Sequence, residues 1–82
     1  MSGEQIGHVS AYYSKISVAA IELTASLSVG DKIRVKGTTT DFETEVISMQ
    51  IDREAVMTAG AGTGVGVQVP DKVRRNDAVF RA

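Results

Sequence analysis

Apolar and polar residues alternate along most of the chain with the period of two that is typical of half-buried β-strands. No segment has the longer period of an amphipathic helix. The pattern therefore predicts an all-β fold. The predicted strands are 6–13, 18–23, 32–36, 41–51, 55–57, 65–69 and 77–81.

Two of the predicted strands, 32–36 and 41–45, carry complementary patterns of charged and apolar residues. If residues 37–40 form the loop between them, antiparallel pairing brings opposite charges together on one face and apolar residues together on the other. The sequence therefore predicts a hairpin with three cross-strand ion pairs. The predicted pairs are Lys36 with Asp41, Val35 with Phe42, Arg34 with Glu43, Ile33 with Thr44 and Lys32 with Glu45.

The fourth predicted strand changes phase near Val46, where the apolar positions shift to Ile47, Met49 and Ile51 without an intervening turn residue. A bulge or sharp bend at this point accounts for the shift, and bends of this kind allow a sheet to curl into a barrel. The phase change therefore predicts a closed sheet.

Three segments repeat a small residue, then a residue with a side-chain oxygen, and then an apolar residue three positions after the small one. Glycine and asparagine readily adopt the left-handed backbone conformation, and Asp or Thr can then hydrogen-bond the local backbone. We expect each segment to be a turn that opens a strand. The segments are Gly30-Asp31-Lys32-Ile33, Gly62-Thr63-Gly64-Val65 and Asn76-Asp77-Ala78-Val79.

Size and composition predict a single domain over residues 1–82, with a disordered tail at 1–5. The chain has no cysteine and a net charge of -1, so neither disulfides nor a global positive field is available. It has no apolar run long enough to cross a bilayer and no secretory signal at its start, which predicts a soluble, cytoplasmic protein without membrane contact.

The sequence offers little for catalysis. His8 is the only histidine, and no motif places it beside a nucleophile or within a metal cluster. No P-loop is present, and the glycine-rich run 60–66 lacks the spacing and following helix of a dinucleotide site. We therefore predict no enzyme activity, no nucleotide, no metal and no other cofactor.

Two exposed polar clusters are candidates for contact with RNA or a partner. Lys72, Arg74 and Arg75 form the stronger basic patch, because the cations of strand 32–36 face carboxylates across the hairpin. The alternative is that these three residues only form a solvated loop. The second cluster is the hydroxyl loop Thr38-Thr39-Thr40, which is a candidate contact for a phosphate or a partner. The alternative is that its hydroxyl groups only cap their own turn.

Four groups of residues resemble domain 2 of elongation factor Tu and related translation GTPases. The strings 37–42 and 48–51 are also similar to short, stand-alone translation elongation factor-like proteins. The resemblance implies a small closed antiparallel barrel of six to seven strands. The four groups are Val9; Leu27-Ser28-Val29-Gly30-Asp31-Lys32-Ile33; Val46, Ser48 and Met49; and residues 59–67.

The resemblance implies a non-enzymatic binding module that docks on RNA or a ribonucleoprotein in a translation-related role. The alternative is a protein–protein interaction barrel that acts as an accessory to a separately encoded enzyme. The near-neutral charge and the scarcity of aromatic residues favour the alternative.

Overall fold

A computed structural model describes residues 4–82, and the prediction of an all-β fold is confirmed. None of the described residues belongs to a helix that could cross a membrane. The ten strands are β1 (Gln5–Tyr13), β2 (Val18–Leu23), β3 (Leu27–Ser28), β4 (Lys32–Lys36), β5 (Asp41–Glu45), β6 (Met49–Ile51), β7 (Glu54–Val56), β8 (Thr58–Ala59), β9 (Gly64–Gln68) and β10 (Ala78–Arg81).

Eight strands form one antiparallel sheet in the order β5-β4-β10-β1-β2-β9-β6-β7. Its two edges, β5 and β7, do not pair with each other within residues 4–82, so the sheet is an open half-barrel. The prediction of a closed barrel with six or seven strands is therefore wrong. The edge strands β5 and β7 do not meet, because the chain leaves the sheet directly after each of them, at Val46 and at Met57.

A second sheet, made of β3 and β8, lies between the two open edges. β8 follows the edge strand β7 after only Met57, and the N–H of Val29 donates to the Met57 carbonyl at 2.9 Å. On the other side, the N–H of Gly30 donates to the carbonyl of Val46, which follows the edge strand β5. Both strands were missed in the sequence, because a two-residue strand has no measurable period.

The core lies inside the curl of the sheet and is built mostly from β-branched side chains, which suit a pleated surface. Its valines and isoleucines occupy alternate positions, so the strands are apolar inwards and polar outwards. The largest fully buried side chains are Ile6, Val9, Ile21, Leu27, Ile33, Val35, Val46, Met49, Val67, Val73 and Val79.

The hairpin of β4 and β5 has the predicted register at all five pairs. The ion pairs differ from the prediction, because Arg34 makes both of those that form: to Asp41 at 2.8 Å, diagonally, and to Glu43 at 3.6 Å. Within residues 4–82, Lys32 and Lys36 make no ion pair across the hairpin. The planar guanidinium holds two carboxylates at once, whereas a flexible lysine on the surface gains little from such a pair.

The phase change near Val46 is a break between strands rather than a bulge within one. β5 ends at Glu45, and β6 begins at Met49 on the opposite side of the sheet, where it pairs with β9 and β7. Val46 itself is fully buried, whereas Ile47 is 64% exposed. The predicted bend is confirmed in its position, and its role is to carry the chain from one edge to the other.

Three four-residue turns share one backbone arrangement, which we call the turn-bulge unit: 28–31, 60–63 and 74–77. In each, the N–H of the fourth residue donates to the carbonyl of the first. The third residue has a positive φ: 98° at Gly30, 85° at Gly62 and 74° at Asn76. The predicted left-handed positions are thus confirmed, and the pattern is that of a type II turn.

Each turn-bulge unit binds one buried apolar residue of another segment through two backbone hydrogen bonds. The third residue of the turn donates to that residue's carbonyl, and the fourth accepts from its N–H, at distances of 2.7–3.0 Å. In each case two consecutive residues of the turn lie opposite one residue of the other segment, and the first of the two has a left-handed backbone conformation. This arrangement is a G1 bulge. The three units bind Val46 through Gly30 and Asp31, Leu23 through Gly62 and Thr63, and Val9 through Asn76 and Asp77.

The aspartates of two units also stabilise their own turns. The carboxylate of Asp31 accepts from the N–H of Ser28 at 2.9 Å, and that of Asp77 accepts from the N–H of Arg74 at 2.8 Å. The prediction of a local side-chain hydrogen bond is confirmed for both. Arg81 then links the first unit to the last strand, because its guanidinium lies 3.4 Å from Asp31.

Of the tail predicted at 1–5, residues 1–3 lie outside the described residues. Gln5 is the first residue of β1 and pairs with Phe80, and the carbonyl of Glu4 accepts from the N–H of Arg81 at 2.9 Å. Both residues thus take part in the end of the sheet.

Replacing Gly30 by alanine is expected to lower the free energy of unfolding by about 1–2 kcal/mol, because a Cβ is unfavourable at positive φ. Gly60→Ala is the matched control, since Gly60 lies outside the left-handed region and an added Cβ there meets nothing within 4 Å. Urea unfolding of the two variants provides the measurement. Equal losses of stability in both would contradict the strain argument.

Candidate binding groove

The predicted basic patch lies in the segment that joins β9 to β10. Lys72, Arg74 and Arg75 are exposed, and Val73 between them is buried at 1% exposure. The buried Val73 and the hydrogen bond from Arg74 to Asp77 fix the backbone, so the three cations lie on a well-anchored loop. Whether a partner binds them stays a prediction.

The three residues of the hydroxyl loop differ in their exposure to solvent. Thr38 and Thr39 are exposed, whereas Thr40 is only 5% exposed and its carbonyl accepts from the N–H of Gly37 at 2.7 Å. An alanine Cβ at Gly37 would lie 2.6 Å from the Cγ of Asp77, so this loop packs directly on the end of the basic segment. Gly37, just before the hydroxyl loop, thus contacts Asp77, just after the basic segment, and Thr40 lies inside the protein.

A groove that was not predicted from the sequence lies on the outer face of β2, β9 and β6. It has a volume of about 450 Å³ and is bounded by the turn after β1 on one side and the turn between β6 and β7 on the other. Tyr13 and Ile16 form the first wall, and Asp52 and Arg53 form the second. Tyr13 and Ile16 are 54% and 63% exposed, so together they present apolar surface to solvent on one side of the groove.

Small residues form the floor of the groove. Ala20 of β2 is paired with Gly66 of β9, and Gly66 is paired in turn with Gln50 of β6. Gly64 lies two positions before Gly66, and a Cβ added there would meet no atom within 4 Å. A row of small residues between taller walls leaves the backbone of the sheet accessible from outside.

The second wall contains backbone strain. Asp52 and Arg53 both have a positive φ, of 52° and 68°, in a two-residue hairpin closed by Ile51 and Glu54. This is the pattern of a type I′ turn, which prefers Asn, Asp or Gly at the first position and Gly at the second, so Arg53 is the residue that carries the strain. Such strain is concentrated at binding and catalytic sites, where it holds side chains in a required position.

Among the described residues, no group of three or more histidine, aspartate or glutamate side chains is placed to bind a metal ion. His8 lies in the middle of β1, paired with Glu22 on one side and Ala78 on the other. The two buried polar residues, Thr40 and Asp77, both serve turns. The groove is therefore taken as the candidate ligand site within residues 4–82.

The sequence comparison finds a peptidase relative. An uncharacterized protease of Methanocaldococcus jannaschii is 44% identical to this chain over 77 residues, which is 93% of the chain. The chain spans 19% of the length of that protease. No family model matches the chain.

Solved structures show the same fold. The C-terminal domain of a predicted U32 peptidase of Geobacillus thermoleovorans superimposes with a TM-score of 0.90, at 15% identity, over 96% of this chain and 92% of that domain. Its selenomethionine variant gives a TM-score of 0.91 over 95% and 99% of the two chains, also at 15% identity. The fold is therefore that of a peptidase C-terminal domain.

These findings correct the resemblance to elongation factors and the role in translation or RNA binding that it implied. The relatives found are a protease and a peptidase C-terminal domain. The reason for the error is physical, because Gly30-Asp31 and the run 62–66 satisfy the geometry of the turn-bulge units. The residue types that a turn requires occur in turns of many different sheets. They therefore indicate the local backbone conformation and not a common ancestor.

The groove could have been suspected from one feature of the sequence. Residues 64–67 alternate glycine with valine, so the outward face of that strand has almost no side chain. What the sequence could not show is that Ala20 of β2, far earlier in the chain, lies beside Gly66 of β9. The walls were hidden for the same reason, because they come from two separate turns.

Arg53→Gly is expected to raise the free energy of unfolding by about 1 kcal/mol, because glycine relieves the strain of the second position in a type I′ turn. Lys72→Gly is the control, as this exposed residue is outside the left-handed region and should gain nothing. Thermal unfolding of both variants provides the measurement. A gain in the control equal to that in Arg53→Gly would show that the turn is not strained.

Proposed function

We propose that this chain is a non-catalytic accessory domain of a U32-type peptidase, and that it binds a protein partner or substrate of that enzyme. The observation that carries the proposal is the 44% identity over 93% of the chain to one part of a protease. The solved C-terminal domain with the same fold is consistent with a part that folds separately from the rest of its peptidase. This supports treating residues 1–82 as one domain.

The distribution of polar groups supports a binding role. The buried carboxylate of Asp77 and the backbone carbonyl of the buried Thr40 stabilise turns, whereas the groove and the loop at 72–75 present exposed side chains to solvent. The same loop, together with Thr38 and Thr39, is proposed as a second contact to the partner. A cytoplasmic location stays a prediction from the sequence.

The proposal predicts a complex between the purified chain and the catalytic region of a U32-type peptidase from the same organism. Size-exclusion chromatography with light scattering is expected to show a one-to-one complex, because the domain contributes a surface that the catalytic region lacks. The chain alone is expected to leave an unfolded protein such as casein intact.

Ribosomes are the matched negative partner in the same assay. If ribosomes retain the chain stoichiometrically and the peptidase region does not, the proposed function is wrong. Cleavage of casein by the chain alone, abolished in the His8→Gln variant, would show that the domain is an enzyme in its own right.

A further inference from the structure

We propose that the groove binds an extended polypeptide segment that carries a bulky apolar side chain and, about four residues away, a basic side chain. This proposal rests on the proposed function, because an accessory domain of a peptidase meets polypeptide as its partner or substrate. It goes further by naming the site and the chemistry that the ligand must have.

Two carboxylates line the groove, one on β2 and one in the turn that follows β6. Glu22 of β2 is paired with Gly64 of β9. On the other side, Gln50 of β6 is paired with Gly66, and Asp52, in the turn that follows β6, lines the groove together with Gly64. Both acidic residues thus line the groove with Gly64, a position that has no side chain.

This arrangement suits a basic side chain. A lysine or arginine laid over Gly64 would lie between the carboxylates of Glu22 and Asp52, both of which line the groove. Within residues 4–82, neither carboxylate takes part in an ion pair. Arg53 lies on the same wall, so the charged lining consists of two carboxylates and one guanidinium, with a net charge of -1.

The opposite end of the groove is apolar. Val18 is paired with Tyr13 across β1 and β2, and Ile16 lies in the turn that joins them. All three side chains line the groove, and Tyr13 and Ile16 are more than half exposed. A bulky apolar side chain of a ligand would remove this surface from water, which stabilises binding.

The distance between the two ends fits an extended chain. Val18 and Glu22 are separated by four residues of one strand, which is about 13 Å at a rise of about 3.3 Å per residue. An extended ligand has the same rise, so its apolar and basic side chains must also be about four residues apart. Ala20 and Gly64 have little or no side chain and the position over Gly64 is open, so the ligand backbone can lie close to the sheet there. The Val18 side chain, by contrast, covers part of Gly66.

The net charge of the lining favours polypeptide over nucleic acid as the occupant. A phosphate backbone over Gly64 would face two carboxylates and be repelled. The exposed cations at 72–75 lie outside the groove and do not line it. Extended polypeptide is therefore the occupant that the charge and the shape favour together.

The test measures fluorescence anisotropy of dye-labelled hexapeptides binding to the whole chain. The probe has Phe at its second position, Lys at its sixth and Gly or Ser elsewhere, and it is also made in the reverse order. Peptides with Glu in place of Lys, or Ser in place of Phe, are expected to bind at least about tenfold more weakly. A single-stranded RNA of six nucleotides is measured in parallel and is expected not to bind.

Gly64→Leu is the sharpest variant, because the added side chain enters open space and fills the floor of the groove without left-handed strain. We expect it to weaken binding of the probe by at least about tenfold. Gly60→Leu is the matched control, since it adds the same side chain at another open glycine outside the groove. It should leave the affinity unchanged.

The acidic end is tested by Glu22→Gln combined with Asp52→Asn. This pair is expected to remove the preference for Lys over Glu in the peptide, whereas Asp71→Asn, at an exposed acidic residue outside the groove, should retain it. Circular dichroism confirms that each variant is folded. A variant that has unfolded is replaced by Gly64→Ala or by the single substitutions, which are smaller changes at the same positions.

Either of two results overturns the inference: no binding of the probe in either order at about 1 mM, or binding that Gly64→Leu leaves unchanged. Preferential binding of the RNA would also overturn it. These outcomes are independent of the proposed function, because association with the peptidase region is measured separately. A complex with the peptidase in the absence of peptide binding would place the contact on another surface.

Discussion

The structure depends on three turn-bulge units, each of which joins two distant segments through a single buried residue. Val9, Leu23 and Val46 are each held by two backbone hydrogen bonds from a turn with a left-handed third residue. A one-residue slip at any of them would move a strand's apolar residues to the solvent face. The edge strands of the sheet do not pair with each other, and the chain has no cysteine for a disulfide. The sheet is therefore stabilised by these units and by the buried core.

The unit formed by Gly62 and Thr63 also determines the geometry of the groove. By binding Leu23 it fixes the register of the next pair, Glu22 with Gly64, and so places a carboxylate beside an empty position. The strained turn at Asp52 and Arg53 supplies the other wall. One constraint thus connects the stability of the sheet with the shape of the surface that we propose binds polypeptide.

Local features of the fold could be predicted from the sequence, and features that depend on distant pairing could not. The hairpin register of β4 and β5 follows from alternating charges a few residues apart, and the left-handed positions follow from glycine and asparagine. The open edges, the two-residue strands β3 and β8 and the groove depend on which strands lie side by side. The candidate site was missed for this reason, and the resemblance to elongation factors was wrong because turn residues are shared by unrelated sheets.

Native-state hydrogen exchange of the amides in the turn-bulge units tests this account most directly. The relevant N–H groups belong to the three turns and to the residues that they bind: Gly30, Gly62, Asn76, Val9, Leu23 and Val46. The account predicts that all six exchange only through global unfolding, with one common free energy of opening. Exchange of any unit through a low-energy local opening, as fast as at the exposed Gly60, would contradict the claim that the sheet depends on these three contacts.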